Sequence, residues 1–341
     1  MRYPVRRWCF SVVATTAGWL LCASSVNPGL TRYEIGGFAQ GTTYAITYYA
    51  NEAMVQKSSI DSVLAVIDSS MSLYKPYSLI NKINGADKSV RIEDRHFVRV
   101  LKRSFDLYRI SDGLFDITVG PLVQLWGFGV EAQNQFPDSA AVNRIRDCVG
   151  MDKIKLRGRR LIKLPCVKLD MNGIAQGYSV DVLADYLEGR GVTHYLVELG
   201  GELRVKGPKP DGSPFRVGIE RPRQVEGEGT AINDVVEIQE GAITTAGSYR
   251  KFLQDGDRRI SHHIDPKSGY PSATGVISAT IYSKDAMTAD GIDNVMMAMP
   301  VTDAIALVNR LSGIEAFIVY KDELGAVRDT MSTGFKKLIA N

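Results

Sequence analysis

Asp290, Asp293 and Asn294 fall three and four residues apart in Thr288-Ala289-Asp290-Gly291-Ile292-Asp293-Asn294. On a helix that spacing puts all three side chains on one face. Three oxygen donors on one face suit a hard cation such as magnesium, which prefers carboxylates, carbonyls and water. Magnesium in turn points to a substrate that carries phosphate. The same residues also suit a solvated helix start, with Asp285 or Thr288 as the cap and the acids favouring the positive end of the helix dipole.

Two further clusters could do chemistry. Leu169-Asp170-Met171-Asn172-Gly173-Ile174-Ala175-Gln176-Gly177 sets an acid at a strand end and glycines at a helix start. Backbone groups exposed there can hold a phosphate or turn a carbonyl toward a metal, although a tight turn needs the same glycines. The chain has only four histidines, and two of them open His262-His263-Ile264-Asp265-Pro266. A histidine such as His263 can take the proton of an attacking hydroxyl, with Asp265 as its competitor or orienter, or it can simply bind nearby backbone. Tyr74 and the segment Ser111 to Gly129, with Phe115, Trp126 and Phe128, could wall a flat ring or form a core corner.

The elements that must position these residues read as an α+β fold. Thr43 to Tyr49 alternates as a strand. Ser58-Ser59-Ile60-Asp61 has the form of a capping box ahead of Val63, Leu64, Ile67 and Met71. Helices are expected from about Asp94 to Ile110 and from Gly173 to Gly191. Then come strands at His194–Leu199, Leu203–Lys206, Phe215–Glu220, Asp234–Gln239 and Ile277–Tyr282. Helices from about Asp285 and Thr302 and a strand at Ala316–Tyr320 close the pattern. Runs of strands bracketed by helices give mostly antiparallel sheets flanked by helices.

Composition narrows the class. The chain has 341 residues, 45% of them hydrophobic, enough for a large core. Lys+Arg 41 against Asp+Glu 38 leaves a net charge of +3 without a basic run, so nucleic acid is not an expected partner. Arg2, Arg6 and Arg7, the apolar run Trp8 to Leu21 and Cys22-Ala23-Ser24-Ser25 form a secretory signal, read as residues 1–25. Cys22 also allows a lipoprotein signal of residues 1–21 and a membrane tether. The expected address is therefore the periplasm, or the inner membrane facing the periplasm. Beyond the leader only Cys148 and Cys166 remain. Free buried thiols are the default expectation, with a bridge open to them in an oxidising compartment.

Eight segments then recur in a familiar order. They are Gln40 to Tyr44, Met71 to Pro76, Gly113 to Gly129, Asp170 to Gly177, Glu198 to Glu202, Thr244 to Tyr249, His262 to Pro271 and Ala289 to Asp293. In these the chain resembles the ApbE-type FAD:protein FMN transferases, from about residue 34 to 335. The resemblance implies residues 26–341 as a single domain of two intertwined subdomains around a cleft, ApbE-like and T-fold-like. It implies FAD contacts at Gln40, Tyr74, Leu114, Phe115, Asp116, Asp170, Gln176 and Ile264. It implies magnesium held by Asp290, Asp293, Asn294 and the carbonyl of Gly173. The implied reaction moves FMN from FAD onto a threonine hydroxyl of an acceptor protein as a phosphoester, with AMP released. By the same resemblance, acceptors are subunits of membrane redox pumps or related envelope flavoproteins.

Four positions depart from the family pattern. Gln40 stands where methionine is frequent, Gln176 where lysine or glutamate is common, Ala246 where serine is usual and Asn294 where threonine is usual. Asparagine still offers a carbonyl oxygen to a metal. These departures keep two other readings open: a magnesium-dependent FAD hydrolase giving FMN and AMP, and a non-catalytic flavin-binding protein.

Overall fold

Alternating side chains lay down most of one large sheet, and the helices bury its faces. The structure is a computed structural model that describes residues 29–340 apart from 132, 134, 223–229, 250–251 and 256–257. Residues 1–25, the segment expected to be a secretory signal, lie outside the described residues, Cys22 among them.

The first half of the chain runs β1 Thr31–Ala39, β2 Thr42–Ala50, α1 Lys57–Met71, α2 Leu79–Gly85, β3 Ser89–Arg91, α3 Arg95–Ile110, α4 Gly120–Leu125 and α5 Ser139–Arg146. There follow β4 Ile154–Arg157, β5 Arg160–Lys163, α6 Asn172–Glu188, β6 His194–Leu199, β7 Glu202–Lys206, β8 Phe215–Pro222, β9 Thr230–Ile238 and β10 Glu240–Gly247. The last part comprises β11 Phe252–Asp255, β12 Arg258–Ser261, β13 Val276–Ser283, α7 Ala286–Met297, α8 Val301–Val308, β14 Glu315–Lys321, β15 Val327–Met331 and α9 Thr333–Lys336.

Eight strands pair in the order β1-β2-β6-β7-β10-β13-β14-β15, each neighbouring pair antiparallel. This is the α+β, antiparallel architecture the pattern predicts. Period-two alternation divides each strand between two cores. Tyr44, Ile46, Tyr48, Tyr195, Val197 and Leu199 pack with Leu64 of α1 and Val180, Leu183 and Leu187 of α6. On the other face Leu203, Val205, Ile243, Phe317 and Val319 pack with β8, β9 and Phe335 of α9. A third core joins α3, α7 and α8 through Leu107, Ile292, Met296 and Leu307.

Local expectations fare unequally. Asp94 caps α3, accepting from the N–H groups of His96 and Phe97. The capping box at Ser58 does not form: α1 begins earlier, after Gln56, and Asp61 binds Lys57 and the Tyr44 hydroxyl instead. Two cationic and phenolic donors outcompete the helix-end N–H. The default of free thiols is also overturned. Cys148, just past α5, is disulfide-bonded to Cys166, with Cα atoms 5.4 Å apart. Cys166 lies in the turn after β5.

Candidate active site

Asp285 starts α7 by accepting from the N–H and hydroxyl of Thr288. The helix is then buried from Ala286 to Asp293. Asp290 and Asp293 are only 4% and 1% exposed. Asp290 Oδ2 accepts the N–H of Gly177 on α6 at 2.8 Å. That approach requires glycine, since a Cβ at 177 would stand 2.7 Å from the Asp290 Cβ. Gly173 departs from helical geometry (φ −82°, ψ 17°), and its carbonyl lies 3.4 Å from Asn294 Nδ2. The same amide nitrogen donates to Asp290 O at 2.9 Å, Asp290 Oδ1 at 3.4 Å and Asp293 Oδ1 at 3.0 Å.

Four acceptor oxygens therefore gather around the partial positive charge of one amide. Burial lifts the Asp290 carboxyl to about 7, the Gly177 N–H opposing the rise and the Asp181 charge adding to it. Asp293 is pushed well above the carboxylate range by burial first and by Asp290 second. The Thr244 hydroxyl faces Asp293 and eases its ionisation, yet closes no well-formed hydrogen bond. Among the described residues neither acid has an ion-pair partner. Two buried carboxylates lacking a cation are costly to ionise, and the converging set of hard oxygens fits magnesium. Among the described residues no three His, Cys, Asp or Glu form a metal cluster. The donors here are instead two carboxylates, a peptide carbonyl and an amide able to turn its oxygen inward.

The glycine turn is anchored next to this face. Asn84 grips Leu169 on both sides, accepting its N–H at 2.7 Å and donating to its carbonyl at 2.9 Å. Asp170 donates its N–H to Ile117 O, and its carboxylate accepts from the N–H of Asn172. Gln176 packs its amide against Gly200, which holds φ +66°. Gln40 turns inward, its Oε1 accepting from Ser179 Oγ of α6 at 3.1 Å.

Leu114 is half-buried and Phe115 buried. The Asp116 carboxylate is committed within the fold, accepting from Thr118 N and Oγ1 and from Met151 N. Burial raises its pKa. It lines a hollow of about 320 Å³ with Tyr108, Arg146, Pro266 and Lys267. Tyr74 is 59% exposed on the loop between α1 and α2, which Asn81 pins by donating to Leu73 O and Lys75 O. No hydrogen bond joins Tyr74 to the other candidates among the described residues.

The histidine segment is a closed turn. Ile264 bridges to Pro271, and Asp265 spends its carboxylate on the N–H groups of Lys267 and Ser268. His263 is 7% exposed, its Nδ1 lies 3.1 Å from Ser261 Oγ and its Nε2 has no hydrogen-bond partner. The orienting bond expected from Asp265 is thus made by Ser261, because Asp265 satisfies its own turn. Burial, then His262, hold the His263 pKa well below the ordinary histidine value. The His262 ring stands 4.0 Å from that of His263 and is the more accessible of the two. Trp126 Nε1 donates to Gly269 O, docking the turn on the aromatic segment. Sequence motifs gave no hint of Asn84, and they flagged Thr244 and His262 only as members of longer segments, without marking Thr244 as a neighbour of Asp293 or His262 as the more accessible ring. An isolated asparagine or threonine has no spacing to betray it.

These contacts define a class: an α+β protein in which a buried acidic helix face, a glycine turn and a histidine turn are tied into one framework. The ApbE family model matches residues 40–318. A Vibrio cholerae protein named FAD:protein FMN transferase is 32% identical over 343 residues, covering 98% of this chain and 100% of that relative. A Haemophilus influenzae protein of the same name is 32% identical over 318 residues, covering 89% and 91%. The structure of flavin transferase ApbE from Vibrio cholerae superposes with a TM-score of 0.81 at 33% identity, over 91% of this chain and 99% of that one. The ApbE protein of Thermotoga maritima gives 0.79 at 28% identity, over 91% and 100%. The chain belongs to the ApbE family.

Proposed function

We infer that this chain is a flavin transferase, moving FMN from FAD to an acceptor protein. The finer reading is that the acceptor is a threonine hydroxyl. Its oxygen attacks the phosphorus on the FMN side of the diphosphate, the bond to the bridging oxygen breaks, AMP departs and a phosphoester remains. The observation that carries this reading is the convergence of Asp290, Asp293, Asn294 and the Gly173 carbonyl. A magnesium ion bound there would neutralise diphosphate charge and steady the charge on the departing phosphate.

The chain's own residues supply the rest. Asp290 and Asp293, as carboxylates, would hold the ion together with Asn294 and the Gly173 carbonyl. Gly173, Gly177 and Asp170 keep the phosphate end of the site close to α7. Leu114, Phe115 and Ile264 offer apolar surface to a flat ring, and Tyr74 offers an exposed ring. The hydroxyl proton passes to the histidine pair. His263 is enclosed and neutral, so His262 is the member placed to meet substrate, with His263 behind it.

Residues 26–341 act as one functional unit in this reading, exported by the segment ahead of it and either released in the periplasm or tethered through Cys22. The Cys148–Cys166 disulfide supports an oxidising compartment. Among the described residues no helix is long and apolar enough to cross a membrane. Envelope flavoproteins, including subunits of membrane redox pumps, are the acceptors this location offers.

One incubation tests the reading. Protein, FAD and magnesium are mixed with and without an acceptor bearing an exposed threonine. Flavin fluorescence on the acceptor band, dependent on magnesium, is expected. AMP release without an acceptor would make the protein a hydrolase, and retained FAD with neither product would make it a binder.

A further inference from the structure

Helices α6 and α7 meet along three evenly spaced rungs. Gly173 faces Asn294, Gly177 faces Asp290, and Asp181 faces Ala286 and Met287. Each step is four residues on both helices, running in opposite directions, which is one turn per rung. The third rung is the strongest. Asp181 Oδ1 accepts the N–H of Ala286 and Oδ2 that of Met287, both at 2.9 Å. Those are the first two N–H groups of α7, which have no partner within their own helix. Asp285 takes the third, from Thr288. Asp181 is fully buried and is gripped in turn by Arg204 Nη1 of β7 at 2.9 Å. The register Val197↔Arg204 puts that arginine on the α6 side of the sheet.

We propose that Asp181 is a positioning residue: by capping α7 from α6, it sets the register of the two helices and so the place of Asp290 and Asp293 relative to the Gly173 carbonyl. Without this fork, α7 is free to shift along α6, and the oxygens near residue 290 no longer converge. Arg204 orients the carboxylate so that both its oxygens face the helix end. The inference rests on the reading of the acidic face as a cation site.

The test uses the full chain, with Mn2+ as the probe, followed by calorimetry and by its electron spin resonance signal. Asp181→Asn keeps shape but can accept only one of the two N–H groups. It is expected to remain folded and to bind Mn2+ about 10–100-fold more weakly, with FAD affinity in metal-free buffer unchanged. Arg204→Lys, which retains a positive charge, should recover part of the difference seen with Arg204→Met. A folded Asp181→Asn variant that binds Mn2+ as tightly as wild type overturns the proposal. Should the variants fail to fold, hydrogen exchange on the wild-type protein decides: slow exchange at Ala286 and Met287 is expected, and exchange as fast as in exposed loops refutes the fork. Absence of Mn2+ binding by wild type would instead sink the cation reading, leaving the exchange result to judge the helix clamp.

Discussion

The acidic face of α7 and the histidine turn are buried alike, and burial acts on them in opposite directions. Desolvation disfavours whichever form is charged. It therefore raises Asp290 to about 7, raises Asp293 well above the carboxylate range and lowers His263, so that burial favours the neutral form of each. A neutral carboxyl is a poor metal ligand until a cation displaces its proton, whereas a neutral imidazole is already a base. The acids are thus incomplete without a partner, and the histidines are ready without one.

The largest effect that could break this contrast is at Asp293. Asp293→Asn should cut magnesium-dependent turnover by about 10²–10³-fold, since a metal's charge stabilisation is worth several kcal/mol and each ~1.4 kcal/mol is tenfold. The same change should raise the melting temperature of the metal-free protein, because it removes an unpaired buried acid. The pH profile sharpens the point. Asp290 holds its proton in the fold up to about 7, whereas in the unfolded chain it releases it near ~4. Between those values the fold binds more protons, so these acids make stability fall as pH rises. His96 and His263 are both depressed. Below ~6.5 the unfolded chain takes up protons that these histidines refuse, so they make stability fall as pH falls. Melting curves of metal-free wild type and Asp293→Asn across this range separate the two slopes. Magnesium should restore wild-type stability at the alkaline end and leave the variant unmoved. Parallel profiles for the two proteins would dissolve the contrast.

At the histidine turn the expected loss is about 10²-fold or more for the group that takes the proton. His262→Asn should show it with the fold intact. His263→Asn should mainly lower the melting temperature, as it alters an enclosed ring whose Nδ1 meets Ser261. The reverse pattern in turnover and melting would return the base to His263.

The Cys148–Cys166 bridge ranks next. It closes a sequence separation of 18 between the strap carrying Gly150 and Met151 and the turn leading to Asp170. Loop-closure entropy for such a span is about 3 kcal/mol. The double variant Cys148→Ser, Cys166→Ser should lose about that much stability in denaturant titration, with turnover little changed at low temperature. A wild-type denaturation curve for the variant would show that the other ties to Asp116 and Thr118 hold the strap alone.

What the sequence disclosed follows from which residues face water. β6 alternates Tyr195, Val197 and Leu199 inward, so its bounds were legible to the residue. α3 announced itself through Asp94 and a one-sided apolar stripe. β1 passed unnoticed because, at the sheet edge, its side chains are largely exposed and Gly36 and Gly37 blunt the pattern. α7 has no stripe, being buried nearly all round, and only its acid spacing gave it away. Asp290, Asp293 and Asn294 were legible for that reason, and Gly173 through resemblance. Asp181 was not, since its partners are backbone N–H groups more than a hundred residues later. Its one sequence mark was an acid amid Val180, Val182 and Leu183.

The smallest expected effect lies at Gln40. Gln40 and Gly41 both take positive φ, 53° and 78°, closing the two-residue link between β1 and β2. Such a link favours asparagine or glycine, and glutamine bears a strain there that methionine would share. The side chain contributes the bond from Ser179 Oγ, a hydroxyl that also reaches Ala175 O at 2.8 Å, and a hydrogen bond that favours the ionised form of half-buried Asp68. Gln40→Met therefore removes an acceptor whose donor keeps Ala175 O, together with the hydrogen bond to Asp68, at a cost of about 0.5–1.5 kcal/mol for each bond lost. Gln40→Asn should offset that loss by easing the turn, so the two variants are expected to straddle wild type in melting temperature. If FAD affinity, read by quenching of flavin fluorescence, fell more for either variant than its stability did, Gln40 would belong to the flavin site and not only to the scaffold beside it.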